Sequence, residues 1–374
     1  MRIGIDAHAI GAKSPQGGNE TFWRNLLLKL GEIDGKNEYF IFTSGQSWLE
    51  TQLCGCSNFH FQTISESASK RVFYEINYFS KHFRLDLFHG TYYGPLVNII
   101  PMILTVHDAS YFRMKELYPS LRYTLLRTLI KKSLRAARAI VTISNFSKEE
   151  IIQLTGITEE KVKVIHCGVD NFSISDESTS SNHPVTDEFS IDQNWKPYIL
   201  FLGNIEPRKN LSTFIKAFSI LQHRCDSRYK LIIAGMPHEG YIGYLVELVS
   251  QLKLNNKVIF TGYVPELKRQ LIISGASLFV YPSLYEGFGF PPFEAFSLGV
   301  PVVVAQAGAM PEVLGDAAIF FHPLDYDDLA DKMFELLTNQ ALRSDLVIKG
   351  YSQISKFSWL EAAKKLIRVY EEII

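Results

Sequence analysis

Cysteine is scarce in this chain: Cys54, Cys56, Cys167 and Cys225 are the only four among 374 residues. Their spacing fits no metal set, and so few thiols point to a reducing compartment rather than a disulfide framework. Long apolar runs are missing as well. No uninterrupted stretch reaches the roughly 20 residues of a membrane span. The opening MRIGIDAHAIG carries Asp6 where a signal peptide would need an apolar core. Excess charge of either sign is lacking: 38 Lys and Arg face 39 Asp and Glu, a net charge of -1. Nothing therefore draws the whole chain toward nucleic acid, and any basic partner surface must be local. The dinucleotide glycine fingerprint and the P-loop lysine are also absent. A cytoplasmic setting is the expectation.

What remains is a globular composition, 47% apolar and 21% charged. The length exceeds one ordinary core, so two domains are expected. Short apolar runs alternate with segments of helical period. In the first half the runs are RIGIDAH, EYFIFTS, FHFQTI, DLFHGT, MILTVHDA, AIVTISN and KVKVIHCG. A stretch rich in Ser, Thr, Asp and Glu breaks the pattern before PYILFLGN, KLIIAG, KVIFTGYV, ASLFVYPS, PVVVA and AAIFFHP restart it. This predicts an α/β fold of two Rossmann-like, doubly wound domains: residues 1–170, a linker at 171–196, and residues 197–356. A last helix, SWLEAAKKLIRVYEEII, has no strand after it and could pack on either domain. Ligands of open parallel sheets collect at the carboxyl ends of strands, so residues just after strands form the shortlist.

Four places stand out. LYEGFGFPPFEAFSLG sets Glu286 in a loop and Glu294 early in a helix, with Gly287, Gly289, Pro291 and Pro292 between them. Ionised carboxylates only accept hydrogen bonds, which suits sugar hydroxyls, while glycines and a helix N-terminus suit phosphate. The plainer alternative is a helix-dipole glutamate and a solvated one. GNIEPRKNLS puts Arg208 and Lys209 at a strand-to-helix junction, a cradle for a diphosphate or simply a basic turn; Asn210 or Ser212 could cap the helix. Gly17 and Gly18 precede a helix in SPQGGNETFWRNLL, an anion-friendly arrangement but a weak signal alone. His107 ends a strand in LTVHDAS, where a catalytic and a structural histidine are both open readings. Asp325-Tyr326-Asp327 mimics a metal-holding acid pair but stands where an N-cap belongs, and no metal constellation is expected.

Together GGNE, VHD, EPRKN and EGFGFPPFEA followed by GVPVV resemble the retaining glycosyltransferases of family 4, over nearly the whole chain. The family's usual Leu after GFG is Phe290 here. The resemblance implies the GT-B fold, two Rossmann-like domains facing a central cleft. The N-terminal one would take the acceptor and the C-terminal one the nucleotide sugar, and the last helix, 357–374, would cross back to the N-terminal domain. It implies that Arg208 and Lys209 bind the donor diphosphate, helped by backbone N–H groups at Gly17, Gly18, Phe288, Gly289 and Phe290. Glu294 would hold the ribose, Glu286 the transferred sugar, with His107 near its reacting carbon. Tyr263 and Val264 would meet the base. Same-face attack without a metal or other cofactor is the implied chemistry.

On family frequency the donor leans to UDP-glucose, with GDP-mannose next, and the acceptor to a saccharide or lipid-linked precursor of a surface polysaccharide. A nucleotide-sugar epimerase and a catalytically silent sugar-binding partner are the rivals. A pyridoxal-phosphate phosphorylase is disfavoured, because no lysine stands out for a Schiff base. The acid-free stretch 121–138 groups Arg127, Lys131, Arg135 and Arg138 opposite Leu125, Leu126 and Leu129 on a helical wheel. It fits peripheral contact with an acidic membrane at its inner face, or a solvated face over a core-facing stripe.

Overall fold

The computed structural model describes residues 1–11, 17–45, 48–95, 97, 99–115, 121–169, 193–225, 228–238 and 240–374. Most of the expected linker lies outside the described residues. The chain divides into two units, Met1–Gly168 with Phe357–Ile374, and Val169–Lys356.

In the first unit seven strands form one parallel sheet: β1 (Arg2–Asp6), β2 (Glu38–Thr43), β3 (Phe59–Thr63), β4 (Leu87–Thr91), β5 (Met102–Thr105), β6 (Ala139–Thr142) and β7 (Val162–Val164). Their order is β3-β2-β1-β4-β5-β6-β7. Strands such as β4 and β5 are buried at every position, the burial pattern of strands covered on both faces. The second unit repeats the plan with β8 (Tyr198–Leu202), β9 (Lys230–Ala234), β10 (Val258–Gly262), β11 (Leu278–Tyr281), β12 (Val302–Ala305) and β13 (Ile319–Phe321) in the order β10-β9-β8-β11-β12-β13. Each sheet reverses direction once, at β1/β4 and at β8/β11. A crevice opens at the carboxyl side of such a switch point because the flanking connections leave on opposite faces.

The terminal helix Trp359–Ile373 belongs to the first unit. Ser358 caps it by accepting from the Glu361 N–H, and its buried stripe Trp359, Ala362, Ala363, Leu366, Val369 and Tyr370 follows the helical period. Tyr370 OH is hydrogen-bonded to Nδ1 of buried His89 across 2.7 Å.

Helix Leu121–Ala136 corrects the wheel drawn from its sequence. Its core side is Ile130, Ser133 and Leu134, with Ala137 just beyond and Leu126 of the expected stripe packed against the same core, whereas Leu121 and Leu125 are 74% and 64% exposed. The phase is set by the core of β4–β6, which receives Ile130, Leu134 and Ala137 at helical spacing. The four cations do not act as one face either. Arg127 Nε donates to Tyr111 O at 2.7 Å, and Lys131 lies over the Phe112 ring. Lys132, Arg135 and Arg138 are exposed. The outer side of this helix thus mixes leucines with cations.

Candidate functional site

At the β8/β11 switch point of the second unit, the turn Pro207–Lys209 follows β8 and the loop Ser283–Gly289 follows β11. The backbones are stitched together, Leu284 N donating to Arg208 O at 2.9 Å. Four donors converge on a single oxygen, Oε1 of Glu286. Lys209 Nζ and Ser283 Oγ each lie 2.6 Å away, Tyr281 OH 3.1 Å, and the Arg208 guanidinium 3.0 Å. Arg208 also donates to Tyr285 O at 2.6 Å and to Glu206 Oε1 at 2.7 Å. Lys209 reaches Tyr281 OH at 2.9 Å.

Glu286 and Lys209 are both buried. Burial alone would raise the Glu286 carboxyl, but Arg208 and Lys209, with the hydrogen bonds from Lys209 and Ser283, outweigh it and bring its pKa down to about 2. Burial and the neighbouring Arg208 push the Lys209 ammonium downward, while Glu286 opposes them. Burial and the adjacent Glu286 push the Tyr281 phenol up, so it remains a donor. The two cations thus rest on two carboxylates.

Asn210 departs from the expected cap. It takes a left-handed φ of 55° at the N-cap position of helix Leu211–Arg224, and its side chain bonds Thr213 Oγ1 and Pro323 O rather than the helix amides. Asp325 does cap its helix, accepting from the Asp327 and Asp328 N–H groups. Among the described residues, no group of three His, Cys, Asp or Glu comes together as a metal set.

Glu294 lies in helix Phe290–Ser297, whose first turn carries the prolines. Gly289 precedes that helix at φ 81°, a left-handed conformation that favours glycine, and a Cβ there would come 2.5 Å from the mobile end of the Met310 side chain. Phe288 is buried and stacked on Phe293. Arg269, in helix Glu266–Ser274, grips Glu294 with both arms: Nε to Oε2 at 2.9 Å and Nη2 to Oε1 at 2.5 Å. In the turn after β10, Tyr263 is 53% exposed and the Val264 side chain is buried. Glu206, Arg269, Tyr281 and Ser283 went unmarked in the sequence.

In the first unit, Gly17 has φ 57° at the N-cap of helix Gly18–Ile33, with nothing within 4 Å of the place a Cβ would occupy. His107 Nε2 is 3.1 Å from Oδ1 of Asn19, in the first turn of that helix, so the structure brings Gly17, Gly18 and His107 together. The His107 ring stands edge-on to Phe22 and Tyr92. Burial lowers its pKa to about 4, so it is neutral near neutral pH.

A separate cavity of about 360 Å³ is lined by Ser277, Gly299, Pro301 and Arg343. It lies by the amino ends of β11 and β12, away from Glu286, and takes no part in this constellation.

Residues 17–171 match the family described as Glycosyltransferase Family 4, and residues 186–353 match Glycosyl transferases group 1. The O-antigen chain mannosyltransferase B of Escherichia coli is 31% identical over 289 residues, covering 76% of this chain and 74% of that protein. The Serotype-specific mannosyltransferase WbdA of Escherichia coli is 30% identical over 73% of this chain, which spans only 33% of that longer protein. Among solved structures, sucrose-phosphate synthase from Thermosynechococcus elongatus superposes with a TM-score of 0.74 at 17% identity, over 100% of this chain and 98% of that one.

Proposed function

Since this chain belongs to glycosyltransferase family 4, with the two Rossmann-like units of the GT-B fold, we propose that its β8/β11 switch point binds a nucleoside diphosphate hexose. The enzyme would pass that hexose to a saccharide or lipid-linked acceptor in surface polysaccharide assembly. One observation carries this reading: Arg208 and Lys209 each lie within 3.0 Å of Glu286 Oε1 at the crevice. The mannosyl activity in the names of two relatives moves the preferred donor from UDP-glucose to GDP-mannose.

In this reading the Arg208 fork and the Lys209 ammonium transfer from Glu206 and Glu286 to the donor diphosphate. They then stabilise the charge that grows as the glycosyl–phosphate bond breaks, without a metal ion. Glu286, released from part of that cluster, accepts hydrogen bonds from the hexose hydroxyls. Tyr281 and Ser283 continue to donate to its Oε1. The anomeric configuration is retained by attack on the face the diphosphate leaves.

Thermal unfolding with UDP, GDP, UDP-glucose and GDP-mannose tests the donor assignment. A ligand at 100 times its Kd stabilises the native state by about 2.7 kcal/mol. The expected result is a clear upward shift with guanosine ligands that Arg208→Ala abolishes. A well-folded sample that shifts with none of the four would refute nucleotide binding here.

A further inference from the structure

The first unit has a switch point of its own, at β1/β4, where the side chains of Asp6, His8 and Arg71 meet. Asp6 is the last residue of β1, and His8 follows in the next turn. Oδ1 of Asp6 accepts from the His8 backbone N–H at 3.2 Å and lies 2.8 Å from Nδ1 of the His8 ring. Facing Oδ2 is Arg71, which opens a π-helical turn, Arg71–Glu75, a rare winding found often at functional sites. Asp6 and Arg71 are 1% and 2% exposed, whereas the His8 side chain keeps 20%. The ring therefore stands between a buried carboxylate and solvent.

We infer that His8 is an acceptor-binding residue whose Nε2 takes the hydrogen bond of a saccharide hydroxyl, with Asp6 and Arg71 as its positioning residues; this rests on the glycosyl-transfer reading above. An ionised carboxylate only accepts, so Asp6 fixes the His8 proton on Nδ1, and the neutral ring offers a lone pair at Nε2. That nitrogen has no partner among the described residues. Burial pushes the Asp6 carboxyl up, but the bonded His8 and the nearby Arg71 outweigh burial and hold it below its usual range.

Arg71 does this without a hydrogen bond to Asp6. Its Nη1 donates to Ser65 O and Glu66 O at 2.9 and 2.8 Å, and its Nη2 to Tyr93 OH at 3.2 Å. Those bonds hold Nε 3.8 Å from Asp6 Oδ2, and neither of these two buried atoms has a hydrogen-bond partner. Among the described residues His8 is thus the one side chain that donates to Asp6. With both Nη groups committed and a carboxylate before its Nε, Arg71 has no arm left for an anion, so the site suits a neutral hydroxyl rather than a phosphate. The loop itself is fixed: Ser44 Oγ donates to His8 O at 2.7 Å, Ala7 N to Phe42 O at 3.0 Å and Ser44 N to Ile10 O at 3.1 Å. A ring held this way loses little freedom when a ligand binds.

Transfer from GDP-mannose or UDP-glucose to methyl α-D-mannopyranoside and methyl α-D-glucopyranoside tests this on wild type, His8→Ala, His8→Gln and Asp6→Asn. His8→Ala should raise KM for the glycoside about three- to tenfold, the net worth of one hydrogen bond. Calorimetric affinity for the nucleotide, which the second unit would carry, should stay at the wild-type value. His8→Gln, whose amide oxygen takes the place of Nε2 as acceptor, should recover part of the loss. Asp6→Asn presents a neutral amide to Nδ1 and favours the other tautomer, so it should raise the same KM. Long-range proton–nitrogen NMR should show the ring proton on Nδ1 in wild type and on Nε2 in Asp6→Asn. Should Asp6→Asn fail to fold, His8→Phe, which keeps a ring without nitrogens, carries the same KM test. An unmoved KM in His8→Ala, a nucleotide affinity that falls with it, or a wild-type ring protonated on Nε2 overturns the inference. So does a wild type that turns over a donor yet leaves both glycosides unmodified. If wild type turns over neither donor, the transfer reading itself falls.

Discussion

Lys209 Nζ lies 2.6 Å from Glu286 Oε1, although the two residues are 77 positions apart. The contact exists because β8 and β11 are neighbours in the sheet and each ends at the same crevice. Arg208 and Glu206 complete a group of two cations and two anions. The site is thus held as a neutral cluster, and a diphosphate bound there would exchange one set of anions for another. Buried cations kept in place this way need little reorganisation when charge develops on a leaving group.

Glu286 should mark the acid limit of the second unit. Its carboxyl falls from 4.5 to about 2 on folding, so its stabilisation is complete above about pH 4.5 and is lost as pH falls toward 2. Integrated over that window, the effect is on the order of 3 kcal/mol. Urea unfolding of wild type and Glu286→Gln between pH 6 and 2.5 measures it. The two stabilities should converge as acid is added, and parallel curves would remove the assigned role.

The first unit should weaken earlier. Burial lowers His107 to about 4; burial, aided by the neighbouring His107, takes His89 to about 3. Between 6.5 and those values the unfolded chain binds protons that the folded chain refuses, so stability drops as pH falls through this window. His107→Gln should flatten the slope between pH 6.5 and 4 while leaving the Glu286 window unchanged. Trp23, packed edge-on against His89, provides a fluorescence signal for this unit.

Among the described residues, all thirteen strands correspond to apolar runs read from the sequence, and inner strands such as β4, β5, β11 and β12 are buried at every position, as strands covered on both faces are. Arg208, Lys209, Glu286 and Glu294 were legible for a related reason: they follow strands, next to glycines and prolines whose placement only a turn explains. Arg269 was not legible, since its partner is set by which helices adjoin. Glu206, Tyr281 and Ser283 read as ordinary polar residues until β8 and β11 are placed side by side. The helix Leu121–Ala136 shows the opposite failure. Its periodicity was visible, but several phases of the wheel look amphipathic, and only contact with the β4–β6 core selects one.

That corrected phase sharpens the membrane question. Exposed Leu121 and Leu125 share the outer side of the helix with Lys132 and Arg135, the composition of an interfacial helix. Elsewhere on the same unit Phe73 is 70% exposed and Tyr74 is also exposed. Vesicles containing an anionic lipid should sediment the protein at low salt, and neutral vesicles should not. Leu121→Ser with Leu125→Ser, and separately Lys132→Glu with Arg135→Glu, should each weaken this. Equal recovery on both vesicle types, or none on either, would dismiss peripheral docking by this face.

Arg208 offers the most direct test of the chemistry. If its fork stabilises charge on the departing diphosphate, Arg208→Ala should lower kcat about 10²- to 10³-fold, the usual worth of a preorganised donor at a developing anion. Arg208→Lys keeps the charge but loses the second N–H arm, so it should fall between the two. Circular dichroism must show both variants folded, because removal of Arg208 takes away a partner of Glu206 and Glu286. The same assay run in a chelator addresses the metal. With Arg208 and Lys209 carrying the charge, turnover should be unaffected by EDTA in wild type and in both variants. A rate that collapses in EDTA and returns with magnesium or manganese would mean that a divalent cation shares the diphosphate. The two side chains would then be helpers rather than the main electrostatic support.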